Sequence, residues 1–150
     1  MLKFIYRMQN ILNVKYKLED QAKTEFMLAN QMLREEEEKL QTLEKRKKGY
    51  EDAVRELLQN QLQVDRIREN QEAIVRMEEY IRAQIVRVEE AAKEVEIKAA
   101  KLTELMQERK AQEKLKEKAF ETFLQEENAR ESKEIDELVS FTYGKKQREE

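Results

Sequence analysis

The chain has 150 residues, 42% of them charged and 39% hydrophobic, with 30 basic against 33 acidic side chains, no Pro and two Gly; mean hydropathy is −0.97. This composition excludes an ordinary globular core, and the near-cancelling charge and abundance of strong helix formers exclude disorder, leaving long helices with solvated, ion-paired flanks. Cys and His are both absent, which excludes disulfides, thiolate chemistry, the commonest general base and the commonest transition-metal ligand. Acidic residues interleave the basic ones throughout, so no basic face is expected for nucleic acid.

In chain order, Met1 to Met8 is partly apolar, but Lys3, Arg7, Lys15 and Lys17 interrupt it before a signal core or a membrane span can form. A cytoplasmic protein without direct membrane insertion is the expectation. From Ile5 the residues fall into heptads. The a positions are Ile5, Leu12, Glu19, Phe26, Leu33, Leu40, Lys47 and Val54; the d positions are Met8, Lys15, Ala22, Ala29, Glu36, Leu43, Tyr50 and Leu57. This predicts a first helix over about residues 2–58.

A second seam runs through Ile67, Ile74, Ile81, Val88, Val95 and Leu102, with Met77, Ala91 and Leu105 three residues after an a position. It is out of phase with the first. The break falls in the polar stretch 59–65, where Asp65 can cap a new helix. A turn there folds the second helix, about residues 66–141, back on the first; a phase-shifted single helix fits the same residues. The expected fold is therefore all-α, one antiparallel coiled-coil hairpin whose second helix is longer than its first, followed by a short charged tail over 142–150. With the turn near Leu62, residue i faces about residue 124 − i.

On that register the second helix outruns the first near Phe120. Phe120, Phe123 and Leu124, then Ile135, Leu138, Val139, Phe141 and Tyr143, have no helix left to cover them. Burying each would contribute roughly 1.5–3 kcal/mol. They make either a frayed tail, helped by the polar stretch Gln125 to Glu134 and by Gly144, or an element that inserts into another protein.

Candidate chemistry is thin. Glu35 to Glu38 point in four directions around a helix and cannot converge on one cation. Glu78 with Arg82, and Glu44 with Lys48, are helix supports at i,i+4. No phosphate-cradling or nucleophile-presenting glycine motif occurs, so neither a catalytic residue, a cofactor nor a metal site is expected. Tyr50 sits at d with its ring in the seam, whereas Tyr80 precedes the seam residue Ile81 and turns outward as a contact candidate.

Three stretches together resemble the FliJ family of flagellar type III export proteins. They are Phe4-x-Tyr6-x-Met8-x-x-Ile11-Leu12-x-x-Lys15-x-x-x-Glu19-x-x-Ala22, the trio Leu40, Leu43 and Tyr50, and Lys114 to Lys118 followed by Lys133-Glu134-Ile135-Asp136-Glu137. The chain departs from the family at Asn70 and Ala73, where larger aromatics are expected, while Met77, Ile81 and Gln84 keep its spacing.

The resemblance implies a component of the flagellar export apparatus, similar to the central stalk of rotary ATPases, peripherally associated with the cell membrane. The paired ends would enter the hexameric export ATPase through Phe4, Ile5, Met8, Phe120, Phe123, Leu124, Ile135 and Leu138. The turn-proximal half would face the export-gate membrane protein through Tyr50, Met77, Tyr80 and Gln84, with export chaperones as further partners. Two alternatives stand beside it: a generic scaffold of copies paired along their full length, and a stalk from a non-flagellar type III secretion system.

Overall fold

A computed structural model describes residues 2–60 and 63–149, the side chain of Glu149 apart. It contains α1, Gln9–Asn60, and the longer α2, Val64–Glu149, and the described residues form no strand. The two helices pack in antiparallel pairs, as the seams require. The chain divides into two compact units, one of residues 1–19 with 105–150 and the other of residues 20–104.

In the unit of residues 20–104, the a and d positions of α1 from Ala22 to Leu57 are all buried or half-buried, as are Ile67, Met77, Ile81, Val88, Ala91, Val95 and Leu102 on α2. A period of seven therefore selects the packed face, because 3.5 residues per turn keeps one stripe on the partner helix. The fully covered apolar positions are small or flexible, Ala22, Ala29, Ala73 and Met77, which lets the backbones approach. Lys98 reaches Glu25 at 3.3 Å and Lys47 reaches Glu78 at 3.6 Å; both pairs obey the 124 − i register to within about a residue.

Both helices extend into the stretch 59–65 expected for the turn. Gln59 and Asn60 are still helical, residues 61 and 62 lie outside the described residues, and α2 starts at Val64. The carbonyl of Gln63 accepts the N–H of Ile67 at 3.1 Å, so Gln63 takes the cap position expected of Asp65. Asp65 instead lies in the first turn of α2, where its charge complements the helix dipole.

In the other unit both helix ends differ from expectation. Residues 2–6 are not helical, and α1 opens only after a turn in which the Gln9 N–H donates to the Tyr6 carbonyl at 3.2 Å. Ile5 is 78% and Met8 38% exposed, so the first heptad read from the sequence is not part of the seam. Leu12 begins it, at 1% exposure. At the far end, α2 continues through Gly144 to Glu149 instead of stopping near Phe141. One Gly costs a helix only about 1 kcal/mol, and Lys146 and Arg148 in the last turn complement the negative end of the dipole.

Candidate partner-binding surface

The unit of residues 1–19 with 105–150 begins with an aromatic cluster. Because residues 2–6 leave the helical path, Phe4 reaches α2 and meets Phe120 edge-on at 5.2 Å and Phe123 at 5.4 Å between ring centroids; Phe120 and Phe123 lie 6.5 Å apart. Such contacts add roughly 0.5–1.5 kcal/mol beyond burial. Phe123 and Leu124 are half-buried and Phe120 is 43% exposed. The apolar overhang therefore starts later than the register predicted: the N-terminal segment, though not a helix, covers its root.

Next to the cluster the seam turns polar. The Arg109 guanidinium donates through Nε to Glu19 Oε2 at 2.6 Å and through Nη2 to Oε1 at 3.1 Å, and its Nη1 reaches Glu113 Oε2 at 3.1 Å. Glu19 is 3% exposed, and a carboxylate so deep needs this bidentate partner. Tyr16 donates its hydroxyl to Glu113 at 2.6 Å. That bond, with help from Arg109, holds the Glu113 carboxyl below its ordinary range, and the same bond raises the Tyr16 phenol. Glu19 raises the Arg109 pKa further by hydrogen bonding. Lys15 bonds Glu108 at 2.9 Å and Lys116 bonds Gln9 at 2.7 Å. The sequence flagged Glu19 as a polar a residue but not its partner, since nothing in the heptad says which arginine will reach it.

Beyond the cluster, Glu127 is buried and paired with Arg130 at 2.9 Å. From Asn128 to Tyr143 every residue is exposed. Ile135, Leu138, Val139, Phe141 and Tyr143 are 59%, 65%, 62%, 71% and 65% exposed. Of the sequence candidates at this end, the fold joins Phe4, Phe120 and Phe123, sets Leu124 beside them on the chain, and leaves Ile5, Ile135 and Leu138 open to solvent.

The turn-proximal candidates divide differently. Tyr80 is 54% exposed and Tyr50 half-buried. Met77 and Gln84 are interior, both at 5% exposure. The Gln84 amide donates to the Glu36 backbone carbonyl at 2.9 Å and to its carboxylate at 2.5 Å, and this bond, with Lys39 next, lowers the Glu36 pKa. Gln84 thus locks the seam and presents nothing outward. An exposed patch of Met27, Leu28 and Met32 on α1 lies off the a and d positions and was not expected from the sequence.

No cluster of three metal-ligating side chains occurs among the described residues, and none of their helices is long and apolar enough to cross a membrane. Fold and surface thus define an antiparallel coiled-coil hairpin carrying an open apolar helix at its terminal end. The model of the flagellar FliJ protein family matches residues 4–148, and the chain belongs to that family. No curated protein matches the sequence significantly. A solved structure described as a YscO homologue, CT670 from Chlamydia trachomatis, shares the fold with a TM-score of 0.77 and 23% identity, covering 99% of this chain and 100% of its own.

Proposed function

We propose that this protein is a soluble, non-catalytic component of the bacterial flagellar type III export apparatus that binds the hexameric export ATPase as a central stalk. The family match over residues 4–148 carries the reading. A hairpin offers a ring two unlike helices, so each ring subunit meets a different face, and such an asymmetric axle can bias ring assembly and the order of nucleotide states without chemistry of its own. The affinity would come from the aromatic cluster and the open tail, with Ile5 and Met8 beside them. Contact with the export gate would fall on Tyr80 and the rim of Tyr50, since Met77 and Gln84 are covered.

The test is the ATP hydrolysis rate of the purified export ATPase with and without this protein, with gel filtration for hexamer formation. Stimulation with co-elution is expected, and Leu138→Asp with Phe123→Asp should abolish it while far-UV circular dichroism stays largely helical. Stimulation that survives both substitutions would remove the insertion model. No effect of the unaltered protein on rate or ring formation would favour a full-length scaffold.

A further inference from the structure

On the exposed tail of α2, Ile135, Leu138, Val139 and Thr142 fall within about 100° of one another around the helix. This stripe is flanked by charge of opposite sign at its two ends. Residues 131–137 carry four carboxylates, Glu131, Glu134, Asp136 and Glu137, against Lys133 alone; residues 145–148 carry Lys145, Lys146 and Arg148 and no acid. Among the described residues, Glu131, Glu134, Lys145 and Arg148 enter no ion pair or hydrogen bond of the chain. An open apolar stripe, acidic before and basic after, is complementary to itself when reversed.

We infer that the tail is a self-association site, at which two copies of the chain pair residues 131–148 as antiparallel helices about a two-fold axis near Val139 and Ser140. About this axis Glu134 of one copy lies opposite Lys145 of the other, and Glu131 comes to the level of Arg148. Glu134 and Lys145 project from the same flank of the helix, within about 20° of each other, and antiparallel pairing brings like flanks together. Parallel pairing would oppose Glu131 to Glu131 and Lys145 to Lys145, so the charges select the antiparallel arrangement. The contact is isologous and closes at two copies, unlike a scaffold paired along its whole length. It covers Ile135 and Leu138, so the dimer and a ring-bound state exclude each other. The inference does not depend on the ring reading, because it uses only the tail.

Sedimentation equilibrium of the full chain tests it, with a dimer expected to form on the order of 10 µM, as suits a small interface. Ile135→Asp with Leu138→Asp should give a monomer of unchanged helicity. Two charge variants then test the pairing: Glu131→Lys with Glu134→Lys, and Lys145→Glu with Arg148→Glu. Each should be monomeric alone, and an equimolar mixture should dimerise. The chain has no native cysteine, so Val139→Cys should oxidise to a disulfide dimer. Asn128→Cys, whose copies would lie about 35 Å apart, should not. A wild-type monomer at tenfold higher concentration would overturn the proposal. So would a dimer that survives the Asp or charge substitutions, or efficient cross-linking at both cysteine positions.

Discussion

Residues 20–104 close their seam with alanines, aliphatic side chains and one buried amide, whereas residues 1–19 with 105–150 close theirs with an arginine between two glutamates and a cluster of three phenylalanines. The first arrangement is held in register chiefly where Gln84 grips Glu36, with the partly exposed Lys98–Glu25 and Lys47–Glu78 pairs adding little. The second fixes register at its polar layer, because a displaced Arg109 takes the bidentate partner away from a Glu19 that is 3% exposed. Apolar seams supply burial and polar ones supply geometry. This protein separates the two, with the stricter geometry beside the open tail.

The sharpest way to break the contrast is at Leu12, the largest fully buried side chain. Leu12→Ala should cost about 2–5 kcal/mol, and amide exchange should accelerate in residues 9–19 and 105–119 more than in 20–104. A uniform loss of protection would show that the two seams open together.

Arg109→Met and Gln84→Met compare the two polar locks directly. The arginine change should lower the melting temperature more, since it removes a bidentate charged partner from a carboxylate that is 3% exposed, whereas loss of the amide should cost about 1 kcal/mol. Equal shifts would mean that the Glu19 pair contributes no more than an ordinary hydrogen bond.

Acid sharpens the same comparison. Glu113 and Glu36 are both held below their ordinary pKa, the first by Tyr16 and then Arg109, the second by Gln84 and then Lys39. Their stabilisation is complete above the unfolded value of about 4.3 and is lost as pH falls through the lower folded value. Melting temperature should therefore drop on acidification below about pH 4.5, and Glu113→Gln should flatten part of that drop. An identical pH profile in this variant would sink the assignment.

The smallest effect is expected at Gly144, where an added Cβ meets nothing within 4 Å. Gly144→Ala should stabilise the tail helix by up to about 1 kcal/mol, visible as slower amide exchange around residues 140–148.

The seam was legible because strict spacing by seven survives any choice of side chain: from Leu12 to Leu57 each a and d position named from the sequence is buried or half-buried. The helix ends were less legible. Ile5 and Met8 fit the heptad as well as any later residue, yet residues 2–6 are not helical and Phe4 lies against Phe120 and Phe123. Gly144 looked like a stop, but the lysines and arginine after it outweigh one glycine. Among the site candidates, Phe4, Phe120 and Phe123 were named together without any means of seeing that they touch. Met77 and Gln84 were named for spacing, and the same spacing is what buries them.

The unbroken heptad frame of the hairpin over residues 20–104 also limits how its length can change. Removing one or two residues from α1 would rotate every later side chain off the partner, and removing seven from α1 alone would leave α2 facing the wrong layers. Shortening or lengthening without loss of packing comes in matched blocks of seven, one from each helix, on the same side of the layer where Gln84 meets Glu36. The reach of this arm is thus quantised at about 10 Å per step, and relatives of different length are expected to differ by whole steps.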